Sequence, residues 1–245
     1  MLELRNVKAG YGPVDVLNGV SLSVPTGSCV CLIGANGAGK STTLGTICGL
    51  VSASSGNILL EGAEINGCAV DALVRRGISL VPEDRKQSGL ILEQSIVSNI
   101  SLPDLMSYAT FSLVSTSREQ KNAEVQRKAL NIKTNDVATV VGTLSGGNQQ
   151  KVVLAKWLSM EPKVLIFDEP TRGVDVGAKT EIYTLMRGLA DHGVAILMIS
   201  SDLEEVIGVS DRMAVMHEGS IAGILQRDRF SEETIMQLAV GHSIH

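Results

Sequence analysis

Aromatic side chains are scarce: one Trp, three Tyr and three Phe in 245 residues. So few rings leave little platform for stacking the bases of a single-stranded nucleic acid. An excess of positive charge is missing as well, with 21 Lys and Arg against 26 Asp and Glu. Tight binding to a phosphate backbone draws on clustered cations that release counterions, and no such cluster is present. These two absences exclude nucleic acid as a partner. The four cysteines, Cys29, Cys31, Cys48 and Cys68, form no CxxC pair and have no His cluster beside them, which argues against zinc. Cys29 and Cys31 alternate with Val30 in an apolar run and read as small core residues in a reducing compartment. No window holds 18 consecutive apolar residues, so no membrane-spanning helix is expected. The start, MLELRNV, lacks a basic region followed by an apolar stretch, and no secretory signal peptide is expected there.

What is present is globular: 44% hydrophobic and 19% charged residues, in a chain long enough to bury roughly 70% of its unfolded surface. Residues 2–7 and 20–24 alternate apolar with polar, as half-buried antiparallel strands do. Cys29 to Ile33 is instead a continuous apolar run ending in glycine, the pattern of a strand buried on both faces, and similar runs recur at Ile78 to Val81, Val164 to Phe167 and Val194 to Ile199. Helical periodicity lies between them. Ala178, Ile182, Leu185, Met186 and Leu189, spaced 4, 3, 1 and 3, share one helix face. Buried strands alternating with helices mean an α/β fold with a largely parallel sheet. Arg212 to Met216 and Ile221 to Leu225 flank His217-Glu218-Gly219-Ser220 as a hairpin.

From Gln87 to Ser117 only Glu93 and Asp104 are charged, and something must cover that stretch, whether the core or a partner. Pro103 and the serines argue against one long helix, and Arg118 to Lys128 then switches to a charged amphipathic helix. Residues 87–145 therefore read as a helical insertion into an α/β core formed by 1–86 and 146–245.

Three motifs carry chemistry. Gly34-Ala35-Asn36-Gly37-Ala38-Gly39-Lys40-Ser41 matches G-x-x-x-x-G-K-[ST] between a buried strand and a helix. Backbone N–H groups of such a loop wrap phosphates, Lys40 reaches the β- and γ-phosphates, and Ser41 ligates Mg²⁺. Val164 to Phe167 ends in Asp168 and Glu169. Asp168 can hold the Mg²⁺ shell and Glu169 can polarise an attacking water, an arrangement suited to phosphoryl transfer. Leu144-Ser145-Gly146-Gly147-Asn148-Gln149-Gln150 places Ser145 23 residues before Asp168 and leads into an apolar helix. Ser145 suits an N-cap, and the two glycines allow close approach to a phosphate.

Together these motifs resemble the ATP-binding subunit of ABC transporters over essentially the whole chain. The resemblance implies a P-loop NTPase of ABC type, with a mostly parallel sheet, an antiparallel β subdomain and a helical subdomain at 87–145. Leu144 to Gln150 looks like the family signature, with Asn148 where Gln is commonest. In the family that segment completes the ATP site of the other subunit, which implies that Ser145, Gly146, Gly147 and Asn148 act in a head-to-tail pair, identical or mixed. Tyr11 matches the aromatic that stacks on adenine, Thr42 a second phosphate contact, and Asp175 the loop coupling the two sites. The helical subdomain would receive a membrane permease on its apolar stretch, at positions such as Ile96 or Leu102. The implied working unit is peripheral, on the cytoplasmic face of the plasma membrane, with ATP and Mg²⁺ as cofactors.

Two positions depart from the family pattern. Glu83 stands where Gln usually contacts Mg²⁺ and water, and Ser201 stands where His usually contacts the γ-phosphate. They predict slow hydrolysis by the isolated chain. From about Arg75 on, the strings PEDRK, LSGGNQQK and DEPTRGVDVGAK look like the second nucleotide-binding half of ribose- and galactose-type monosaccharide importers. Residues 1–62 look more like branched-chain amino-acid importer ATPases. The longer resemblance favours a sugar; a branched-chain amino acid, or a nucleotide-gated module with negligible turnover, are the alternatives. The long heptad insertions of DNA-repair relatives are absent between Ser41 and Leu144.

Overall fold

The computed structural model describes residues 1–242. Residues 243–245, the end of the expected span, lie outside the described residues. The chain opens with β1 (Leu2–Tyr11) and β2 (Val14–Val24), which pair antiparallel. β3 (Cys29–Gly34) runs through the glycine-rich loop into α1 (Lys40–Ile47). β4 (Ala53–Leu60), β5 (Ala63–Glu64), α2 (Val70–Arg75) and β6 (Ile78–Val81) follow. Next come α3 (Ile96–Ser101), a short hairpin of β7 (Ala109–Thr110) and β8 (Leu113–Val114), α4 (Thr116–Ala129) and α5 (Gly146–Leu158). The chain then alternates β9 (Val164–Asp168), α6 (Val176–Asp191), β10 (Ala195–Ile199) and α7 (Leu203–Val209). After these lie the hairpin of β11 (Arg212–His217) and β12 (Ser220–Gln226), and α8 (Glu232–Ala239).

Contacts divide the chain into two units. The first holds residues 1–80, 163–169 and those from 186 onward. It contains a four-stranded sheet in the order β2-β1-β4-β5 and a six-stranded sheet in the order β12-β11-β3-β10-β9-β6. In the larger sheet β3 pairs parallel with β10 and β11, and β10 pairs parallel with β9. The apolar runs at 29, 164 and 195 form these inner strands because both of their faces are covered. Leu44 and Ile47 of α1, Val7 and Val20 of the small sheet, and Leu32, Ile166 and Leu197 of the large one share a single buried cluster. Burial pushes the thiols of Cys29 and Cys48 up to about 12, so they stay protonated and pack as small apolar groups.

The second unit holds residues 81–162 and 170–185, and the insertion expected at 87–145 lies inside it. α3 packs on α4 and α5, over buried Val97, Ile100, Ala123, Val153 and Leu154. Asn99, 1% exposed, is satisfied by folding back on its own turn: Oδ1 accepts from the N–H of Ile91 (2.8 Å), and Nδ2 donates to the carbonyls of Ile91 and Ser95 (both 3.0 Å). Lys156 of α5 donates to the carbonyl of Gly89 (3.1 Å), and its ammonium stands 5.2 Å from the centre of the Trp157 ring. The charge-poor stretch divides between core and surface. Ile96 is 0% exposed, which removes it as a surface contact because its side chain serves the packing of α3; Leu102, Met106, Phe111 and Leu113 are exposed. No helix among the described residues is long and apolar enough to cross a membrane.

Candidate functional site

In the first unit, the loop after β3 curls because Gly37 and Gly39 hold φ at 81° and 102°, values that glycine alone takes without penalty. Lys40 begins α1, and its Nζ donates to the carbonyls of Gly34 (2.7 Å) and Ala35 (3.0 Å). The ammonium is thus tied back to the loop it serves. Burial lowers its pKa, while the charges of Glu169 and Asp168 push it back up. Ala35, Asn36 and Ser41 are exposed along the loop, and Ala38 and Thr42 are buried beneath it. Tyr11, 61% exposed, ends β1.

Asp168 and Glu169 lie at the end of β9, and Ser201 follows β10, the neighbouring strand. Glu169 adopts φ of 48°, a left-handed conformation that costs a non-glycine residue about 1–3 kcal/mol. Its backbone N–H donates to the carbonyl of Ile199 (2.9 Å), which fixes the turn, and its Oε2 accepts from the Ser201 hydroxyl (3.1 Å). The Asp168 carboxyl is held above its ordinary range, first by burial and second by Glu169, with Lys40 acting the other way. Two adjacent carboxylates opposed by one lysine, with the Ser41 hydroxyl nearby in the motif, are an all-oxygen donor set that fits a hard divalent cation.

The second unit gathers another group. Ser145 is the N-cap of α5, with Gly146 and Gly147 in its first turn. Asn148 donates to Ser145 Oγ (2.9 Å) and accepts from the N–H of Lys133 (2.8 Å). Asp175 Oδ1 accepts from the N–H of Ala178 (3.0 Å) and so caps α6; a Cβ built on Gly147 would lie 3.8 Å from its other carboxylate oxygen. Glu83, expected at a metal, forms an ion pair with Arg172. Arg85 stands in the PEDRK string, which assigns it no role of its own. Its guanidinium donates to the carbonyls of Arg172 (3.2 Å) and Gly173 (3.3 Å) and to Gln149 Oε1 (3.4 Å). It thereby binds the segment after β6, the start of α5 and the segment before α6 to one another. Buried Lys151 pairs with Glu181 and donates to the carbonyl of Asn131 (3.0 Å).

Comparison with known proteins agrees with this geometry. Residues 17–172 match the family described as ABC transporter. The chain is 50% identical over 226 residues to the ribose import ATP-binding protein RbsA of Halalkalibacterium halodurans, covering 92% of this chain and 45% of the relative. It is 45% identical over 241 residues to the protein of the same name from Lactococcus lactis subsp. lactis, covering 98% and 49%. The chain thus spans about half the length of the curated relatives it matches. Among solved structures, a nucleotide-free ATP-binding cassette from an ABC transporter superposes with a TM-score of 0.85 at 23% identity, covering 99% of both chains. A dimeric cassette in a post-hydrolysis state, bound to ADP and Pi, gives 0.79 at 24% identity, covering 94% of this chain and all of that one. At such identity these two establish the fold.

Proposed function

The chain belongs to the ABC transporter family as an ATP-binding cassette, and from that premise we propose that it binds Mg-ATP and hydrolyses it to drive import of a monosaccharide. One observation carries the reading. The phosphate loop at the end of β3, the carboxylates at the end of β9 and Ser201 after the strand between them lie at the carboxyl ends of neighbouring parallel strands, the edge where open α/β sheets bind ligands. The sugar is supported by the ribose import proteins at 45–50% identity rather than by any pocket of this chain.

In this reading the backbone of Gly34 to Gly39 wraps the phosphates, Lys40 leaves the carbonyls of Gly34 and Ala35 for the β- and γ-phosphates, and Thr42 adds a second contact. Tyr11 stacks on the adenine. Ser41 and Asp168 would hold Mg²⁺, which supplies charge neutralisation at the phosphates when bound. Glu83, expected as a further ligand, is paired with Arg172. Glu169 orients the attacking water and takes up its proton, and Ser201 fixes the direction of that carboxylate. Ser145, Gly146, Gly147, Asn148 and Asp175 face the ATP of a second cassette. The exposed apolar side chains from Leu102 to Leu113 meet a membrane permease, with the cassette peripheral on the cytoplasmic face.

The Ser201 bond also favours a second reading, a nucleotide-gated module with slow turnover. The Ser201 hydroxyl is spent on Glu169, and serine cannot span the distance to a γ-phosphate that a histidine reaches. Losing one preorganised donor costs about 10²–10³ in rate. Steady-state phosphate release by the purified chain, with and without its permease, separates the readings. Ser201→His should raise the rate of the isolated chain tenfold or more; a fast wild type that histidine leaves unchanged removes the slow-turnover reading.

A further inference from the structure

The start of α5 contains a hydrogen bond whose direction its neighbours determine. Asn148 Oδ1 accepts from the backbone N–H of Lys133 (2.8 Å), and such a donor can be met only by the oxygen end of the amide. The orientation of the amide, often ambiguous, is thereby set. The nitrogen end, 2.9 Å from Ser145 Oγ, must donate to it. Ser145 is the N-cap residue of α5, yet its hydroxyl caps no helix N–H; the ordinary use of an N-cap oxygen is given up. With a lone pair of Oγ taken by Asn148, the hydroxyl proton is left to point elsewhere, and Ser145 is exposed.

We infer that Asn148 is a positioning residue, which turns the Ser145 O–H outward as a donor to a terminal phosphate oxygen of ATP held by a second cassette. This rests on the proposed reading of 144–150 as the segment that completes a partner's ATP site. It adds a positioning role to the nucleotide contact expected of Asn148: its oxygen accepts from Lys133 and one N–H of its amide is given to Ser145, leaving the other N–H to face the nucleotide. The bond also ties Ser145 to the backbone at 133, so the donor is held by two segments rather than by one flexible side chain.

The discriminating variant is Asn148→Asp. It keeps the size of the side chain and an acceptor for Lys133 N–H, but sets an oxygen where the donating nitrogen stood, so that Ser145 must donate inward. The expected result in the purified full chain is a kcat for ATP lowered about ten- to a hundredfold, the range of one hydrogen bond to a charged group. ADP affinity, set by the chain's own phosphate loop, and Tm should be unchanged. The added negative charge could slow turnover by itself, and so the substitution is repeated on Ser145→Ala. If Asn148 acts through Ser145, the aspartate has no further effect there; an equal loss in both backgrounds overturns the inference. Side-chain amide proton shifts of Asn148 give a readout independent of turnover. They should move on Ser145→Ala, and unmoved shifts overturn the inference. If the shifts move but Ser145→Ala turns over normally, the bond is real and the reading of 144–150 as part of an ATP site falls, taking the positioning role with it.

Discussion

Two glycine-rich turns each lead into a helix, and they use glycine for different reasons. Before α1, Gly37 has φ of 81° and nothing within 4 Å of where a Cβ would stand: torsion is what demands glycine. In the first turn of α5 no positive φ is needed, yet a Cβ on Gly146 would stand 2.7 Å from Arg85 Nη2, and one on Gly147 2.8 Å from Ala178 Cβ. There the demand is for volume. A loop that wraps an anion must curl its N–H groups inward, whereas a helix start that offers a flat edge must let its own neighbours press from behind.

The comparison can be broken most sharply at Lys40, the one cation of the first turn. Lys40→Ala should lower ATP affinity at least 100-fold, about 2.7 kcal/mol, because a charge-assisted contact with the phosphates disappears. Isothermal calorimetry measures it, and unchanged affinity removes the phosphate-loop assignment. Next in size is Gly147→Ala. Crowding of this kind costs about 1–3 kcal/mol, seen as a lower Tm. Ala178→Gly should compensate, leaving the double variant more stable than the two single losses predict; strict additivity would show that volume is not the cause. Gly37→Ala should cost less, about 1 kcal/mol of torsional strain, with no neighbour able to rescue it.

The smallest effect concerns charge beside the first turn. Asp168 binds its proton more tightly in the fold than in the unfolded chain, since burial and Glu169 raise its pKa. The cost of keeping it ionised is therefore absent below the ordinary carboxylate value and is felt once pH rises through the raised one. Asp168→Asn should raise the Tm of the nucleotide-free chain by a few degrees at pH 7, a gain that shrinks as pH falls toward the ordinary carboxylate range. Calorimetric scans across pH report it, and a lower Tm at pH 7 would overturn the burial account.

The inner strands were legible because parallel strands covered on both faces leave unbroken apolar runs, as at Cys29 and Val164. The phosphate loop was legible because a torsional demand writes itself as glycine spacing. β4 escaped notice: only Ile58 and Leu60 of its residues are buried, and its first half is exposed or half-buried, so no alternation marks it. The grip of Arg85 on Arg172 and Gly173, and the pair of Glu83 with Arg172, join residues more than 80 apart and follow from tertiary packing that no local pattern encodes. Ile96 and Leu102 look alike in a charge-poor stretch, yet one is 0% and the other 40% exposed. Lack of charge marks a covered surface without saying what covers it.

The chain has one tryptophan, and it sits in α5, inside the second unit. Its indole N–H is buried without a hydrogen-bond partner, and the ammonium of Lys156 lies beside its ring, a polar neighbour that unfolding would carry away. Tryptophan emission is therefore a native optical probe of that unit, whereas far-ultraviolet circular dichroism sums over both. Coincident melting curves would mean that the two units unfold as one cooperative body, and any interval between them would measure their independence without label or mutation.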